Sequence, residues 1–296
     1  MWKDHRVYIA YDETPIAYDV GGIPEGPTLV LCDGVGCSGF IWKYLAAELR
    51  TKYRLIHLNY RGHGRSYAPA NLDNLQIQDH CRDLLGVLEQ EEIDQCVLLG
   101  HSMGVQTILE FAHRNPEKVQ GLVPICGSYG RVLDTFHDST TLRTVFPHLL
   151  SLVQRYTNAG AKIWKVLANN PASWPLAALI EINPALAQRE DIAPYFEQLA
   201  RMNPRVFLKC VQNAGNHSAL PYVHEIEVPT LVVAGEKDQF TPRWLSEKLE
   251  MHLPKAKIFI AEEGTHIAPL ESPREINDAI LDFLEKLFTE GPRDAP

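Results

Sequence analysis

No stretch of this 296-residue chain reaches the ~18–20 consecutive apolar residues that would carry a helix across a bilayer, so no membrane span is expected. The first residues, Met1-Trp2-Lys3-Asp4-His5-Arg6, are polar and lead straight into a predicted strand. No secretory leader is expected there, which makes a cytoplasmic location the default. Cysteine is sparse and unpatterned: Cys32, Cys37, Cys81, Cys96, Cys126 and Cys210 form no C-x-x-C pair, and several fall in apolar runs. That argues for buried free thiols in a reducing compartment, against a disulfide frame or a zinc site. Positive charge is the minority sign, with 28 Lys+Arg against 37 Asp+Glu and a net −9. With no basic arm to offset it, nucleic acid is excluded as an expected partner. Internal repeats and low-complexity tracts are missing, as is any His/Asp/Glu trio at metal-ligand spacing, so no metal is expected.

The chain does have enough apolar residues, 45%, for a sizeable packed core. Short apolar runs at Arg6–Ala10, Ile16–Val20, Thr28–Cys32, Leu55–Leu58, Cys96–Leu99 and Val119–Cys126 read as strands. Amphipathic stretches at Ile41–Leu49, Ile77–Leu88 and Val105–Arg114 read as the helices between them. Past Ser128 the rhythm breaks into helix-like pieces cut by Pro147, Pro171, Pro175, Pro184, Pro194 and Pro204. It resumes with strands Thr230–Ala234 and Lys257–Ile260 and helices Trp244–Leu253 and Ile276–Phe288. The alternation predicts an α/β fold, a mostly parallel doubly wound sheet with helices on both faces. Residues 1–127 and 221–296 would form the core, and 128–220 a helical lid inserted after strand six.

Between strand and helix stands Gly100-His101-Ser102-Met103-Gly104, a G-x-S-x-G turn that lifts the Ser102 hydroxyl above the end of a sheet. A serine hydroxyl needs a base to take its proton, and the base needs a carboxylate to hold its tautomer. Asp238, in Gly235-Glu236-Lys237-Asp238, and His266, in Glu263-Gly264-Thr265-His266, both follow predicted strands, where open parallel sheets place their sites. Glu236 is the rival acid but sits nearer its strand. Two further motifs accompany these, Tyr60-Arg61-Gly62-His63-Gly64-Arg65-Ser66 and Leu270-Glu271-Ser272-Pro273. On these motifs the chain resembles the α/β-hydrolase superfamily, and the resemblance covers nearly its whole length. It implies a Ser102–Asp238–His266 triad and no cofactor. It also implies an oxyanion hole made by the backbone N–H of Met103 and, by position, of Val35, with Gly34 as the fallback.

One departure stands out. Where the family usually reads His-Gly, this chain has Cys32-Asp33-Gly34-Val35-Gly36. A carboxylate there opposes a developing oxyanion unless Asp33 points away or is hydrogen-bonded. His63, His101 and His113 read as structural, and so does His217 near the end of the insertion.

The insertion is rich in aromatics, and Trp164 and Trp174 are candidates for lining an apolar substrate cavity. It carries nine Lys+Arg against six Asp+Glu between Ser128 and Leu220. Arg155, Lys162 and Lys165 on one helical face are read as solvated, with an acidic acyl carrier or a CoA phosphate as the alternative partner. The expected activity is hydrolysis of a carboxylic ester of a neutral, mainly apolar small molecule through an acyl-enzyme. Thioester, lactone, carbon–carbon and perhydrolase chemistry remain alternatives, as does a ligand receptor on the same scaffold. Epoxide hydrolases and dehalogenases resemble this fold but need a carboxylate where this chain has Ser102.

Overall fold

The structure is a computed structural model that describes residues 2, 4–135, 148, 151, 182–183 and 185–290. Eight strands form one sheet: β1 Asp4–Ile9, β2 Pro15–Gly22, β3 Thr28–Cys32, β4 Arg54–Leu58, β5 Cys96–His101, β6 Val119–Ile125, β7 Thr230–Gly235 and β8 Ala256–Ala261. Their order is β1-β2-β4-β3-β5-β6-β7-β8. The β1–β2 and β2–β4 pairs are antiparallel, and every later pair is parallel.

The apolar runs become central strands because both faces of the sheet are covered. In β3, Leu29 and Leu31 join Trp42, Leu45, Ile276 and Ile280 on one face. Val30 and Cys32 join Leu84, Val87, Ile108 and Phe111 on the other. The first cluster is closed by α1 Lys43–Leu49 and the C-terminal helix Pro273–Glu290, the second by α2 Ile77–Gln90 and α3 Met103–Arg114. β1 is different: it lies at the sheet edge and is almost wholly exposed. All six cysteines are buried and unpaired.

Several boundaries differ from the reading of the sequence by a few residues, two of them for a clear local reason. The stretch predicted as one helix from Ile41 begins as a 3-10 turn, Phe40–Trp42, and becomes α-helical only at Lys43. The last helix starts at Pro273, where a proline costs nothing because a first-turn N–H has no acceptor.

Between β6 and β7, α4 Val132–Thr135, α5 Arg189–Arg201 and α6 Pro204–Asn216 are described. Contrary to expectation, Pro194 does not cut α5. Its side of the helix is exposed, so water can serve the Glu190 carbonyl that loses its donor. The chain enters and leaves this region side by side: Ala219 N–H donates to Tyr129 O at 2.7 Å and Arg131 N–H to His217 O at 2.9 Å. α5 is tied to α1 through the buried Asp191, which accepts from Tyr44 Oη at 2.7 Å and pairs with Lys43 Nζ. α6 is tied to the core by Asn213 Nδ2 donating to Leu75 O at 2.8 Å and Gln106 Nε2 donating to Ala214 O at 2.9 Å.

Candidate active site

Ser102 sits between the end of β5 and the first residue of α3 with φ 55° and ψ −117°. That is a strained conformation for a non-glycine residue, and it points the side chain out of the turn. The flanking glycine makes the turn possible. A Cβ on Gly104 would lie 2.1 Å from the Cys32 carbonyl oxygen, so only glycine lets α3 approach β3 so closely.

The Ser102 hydroxyl is 3.0 Å from His266 Nε2, and His266 Nδ1 is 3.0 Å from Asp238 Oδ2. With Nδ1–H donating to the carboxylate, Nε2 is left as the acceptor of the serine proton. The Asp238 side chain is 1% exposed and that of His266 12%, so the carboxylate is sealed while the imidazole keeps an open edge. Asp238 is held from its own loop. Oδ1 accepts from Phe240 N–H at 2.9 Å and Thr241 N–H at 2.8 Å, and Oδ2 accepts from Thr241 Oγ1 at 2.8 Å. Glu236 turns to the neighbouring loop, where it accepts from Glu263 N–H at 3.0 Å.

The His266 loop has two further supports. Buried Glu271 accepts from Thr265 N–H at 2.6 Å, Thr265 Oγ1 at 2.9 Å and Asn183 N–H at 2.7 Å. Burial raises its pKa against those bonds. His101 Nε2–H donates to the His266 carbonyl at 2.9 Å, which leaves buried Nδ1 without a partner among the described residues. Burial and nearby His266 push His101 down to about 4, so its ring stays neutral. Each of the other three histidines read as structural has a neighbour at its ring. His63 Nδ1–H donates to Arg61 O at 3.0 Å, His113 stacks on Tyr222, and His217 Nε2 lies 3.0 Å from Glu110 Oε2.

The loop after β3 lies directly against Ser102, since a Cβ on Gly34 would be 3.0 Å from Ser102 Cβ. This brings the Gly34–Val35 segment beside Ser102. Met103, as the first residue of α3, has an N–H with no intrahelical acceptor. Leu199 of α5 and Phe207 of α6 close over the same loop, within 2.8 and 3.1 Å of where a Gly36 Cβ would stand. Phe240 stacks on His266, with ring centroids 4.9 Å apart and planes at 28°. Phe240, Thr241 and Leu199 carry no signal of their own in the sequence, and Glu271 appears there only within the Leu270-Glu271-Ser272-Pro273 motif. Only the Asp-x-Phe-Thr spacing hints that Asp238 caps its own turn. Trp164, Trp174, Arg155, Lys162 and Lys165 lie outside the described residues. Among the described residues no group of three His, Cys, Asp or Glu could hold a metal ion, and no helix is long and apolar enough to cross a membrane.

The sequence model of the alpha/beta hydrolase fold family matches residues 27–273. The chain belongs to the α/β-hydrolase fold family. It is 25% identical over 279 residues to the uncharacterized hydrolase YugF of Bacillus subtilis, covering 93% of this chain and 96% of that one. Epoxide hydrolase 4 of Mus musculus is 23% identical over 275 residues, covering 91% of this chain and 76% of the relative. Among solved structures, a thermophilic esterase from Thermogutta terrifontis superposes with a TM-score of 0.77 at 19% identity, covering 97% of this chain and all of the other. As a family member, the chain carries its candidate residues on the loops at the carboxyl ends of β3, β5, β7 and β8, the rim where open parallel sheets bind ligands.

Proposed function

We propose that this α/β hydrolase cleaves carboxylic esters of neutral, mainly apolar small molecules through a serine acyl-enzyme. The observation that carries the reading is the hydrogen-bonded line Ser102–His266–Asp238, with 3.0 Å at each link. Ser102 Oγ attacks the ester carbonyl as its proton passes to His266 Nε2, and Asp238 stabilises the imidazolium that forms. The tetrahedral oxyanion accepts from the N–H of Met103 and of Val35, with Gly34 N–H as the alternative donor. Collapse expels the alcohol, protonated by His266, and water repeats the sequence to release the acid.

The relatives and structural neighbours include an epoxide hydrolase and an esterase. Ser102 at the nucleophile position favours the esterase side, because epoxide opening in this fold uses a carboxylate there. The apolar side chains Leu199, Phe207 and Phe240 around the site favour an uncharged acyl or alkyl group. We read residues 128–220 as a lid over it.

The test is a panel of 4-nitrophenyl esters, thioesters and lactones offered to the protein and to Ser102→Ala. Turnover of neutral esters above thioesters and lactones, abolished in the variant, is expected. Preference for a thioester or lactone moves the substrate class, and stoichiometric capture without turnover makes the protein a receptor.

A further inference from the structure

Asp33 stands one residue before Gly34, and its surroundings account for a carboxylate in such a place. Oδ1 accepts from the Trp42 indole N–H at 2.6 Å. Oδ2 accepts from Gly39 N–H at 2.8 Å and from His57 Nε2 at 2.8 Å. The Gly39 bond closes the 33–39 loop on itself, the Trp42 bond ties it to the 3-10 turn that follows, and the third reaches across from β4. The other nitrogen of His57 lies 3.1 Å from Asp19 Oδ2 on β2. A neutral imidazole has one N–H and cannot donate to two carboxylates, whereas an imidazolium satisfies both. Asp19 in turn meets Arg65, His5 at 2.5 Å and Asn59 Nδ2 at 3.4 Å. The charges therefore alternate from the loop outward, negative at Asp33, positive at His57, negative at Asp19 and positive at Arg65. Asp33, His57 and Asp19 are all buried, and the Trp2 ring stacks on His57 at 5.2 Å.

We propose that a protonated His57, clamped between Asp19 and Asp33, is a positioning residue that neutralises Asp33 and holds the 33–39 loop in the shape that presents its backbone N–H groups to the oxyanion. The inference rests on the serine-hydrolase reading above. Burial alone would push His57 down, but the charge of Asp33 and the hydrogen bonds to Asp19 and Asp33 hold it up at about 9. Loss of its proton leaves two buried carboxylates around a neutral ring, one of them beside the developing negative charge. A buried carboxylate without its partner is costly, and the loop must move to hydrate it.

The experiment follows hydrolysis of 4-nitrophenyl acetate from pH 6.5 to 10, with kcat counted per fluorophosphonate-labelled site. It uses the unmodified protein, His57→Gln and Asp33→Asn. In the unmodified protein kcat falls reversibly by about tenfold toward pH 10 while KM stays within about threefold, because a group titrating near 9 is then mostly deprotonated. Both variants lose about ten- to a hundredfold in kcat at pH 7.5, less than the 10²–10³ cost of deleting an oxyanion donor, and lose the alkaline limb as well. A kcat that stays flat to pH 10 in the unmodified protein overturns the proposal, and that measurement needs no variant to fold. Folded variants that keep the parent kcat per labelled site overturn it too. The serine-hydrolase reading fails on a separate readout, if no site is labelled or if Ser102→Ala still turns over.

Discussion

At the scale of single residues, the candidate acid is the member of the proposed triad with a rival carboxylate nearby. Asp238 and Glu236 are two positions apart, but Asp238 points at His266 Nδ1 and Glu236 at the Glu263 N–H. Asp238→Asn keeps the shape and the turn while removing the charge that fixes the tautomer, so kcat is expected to fall by about 10³–10⁴. Glu236→Gln should leave kcat within about twofold, since a surface hydrogen bond is worth only ~1 kcal/mol. Steady-state turnover of one neutral ester by both variants decides between them, and the reverse pattern removes Asp238 from the triad. Ser102, His266 and Asp238 were legible in the sequence because each follows an apolar run and a glycine. The clamp around Asp33 was not. Asp19, His57 and Asp33 come from three separate strands or their ends, and nothing in the local pattern of any one of them announces a buried charge.

At the scale of elements, the strands were legible because period and length coincide: a five-residue run such as Thr28–Cys32, buried on both faces, has no room to be anything but a central strand. β1 was displaced by two residues at its start because an exposed edge strand lacks a hydrophobic limit. The turn at Phe40–Trp42 was missed for another reason: Trp42 is spent on Asp33, a tertiary bond that overrides helical spacing. Two close approaches between elements can be tested directly. Gly104→Ala places a methyl 2.1 Å from the Cys32 carbonyl oxygen, a backbone atom that cannot step aside. Its urea midpoint should fall by an amount equivalent to about 1–3 kcal/mol or more. Gly34→Ala meets Ser102 Cβ at 3.0 Å and His101 Nδ1 at 3.2 Å. It should leave the midpoint nearly unchanged yet lower kcat by about a hundredfold, as expected when an oxyanion donor is displaced. Equal loss of stability and activity in both variants would mean that the loop after β3 serves packing alone.

At the scale of the whole molecule, buried histidines of opposite tendency set the pH range of the fold. Burial pushes His63, His80 and His101 down, so below about pH 6.5 the unfolded chain takes up protons that the folded one refuses, and stability falls with acid. His57 is held up at about 9. Above about pH 6.5 the unfolded imidazole releases a proton that the folded one keeps, and stability falls with base as well. Burial lifts the Cys32 and Cys210 thiols to about 12, which steepens the decline beyond pH 9. Urea midpoints measured from pH 4 to 10 should therefore peak between pH 6 and 7, and His57→Gln should flatten the side between 6.5 and 9. A midpoint rising steadily from pH 7 to 9 contradicts this. The central claim is that this α/β hydrolase works through the hydroxyl of Ser102, and it is tested most directly by turnover of a neutral 4-nitrophenyl ester in Ser102→Ala, with the fluorophosphonate adduct of the unmodified protein mapped by peptide mass. A loss of about 10⁵–10⁶ in kcat, with the adduct on Ser102 alone, is the expected result; turnover or labelling that survives the substitution contradicts it.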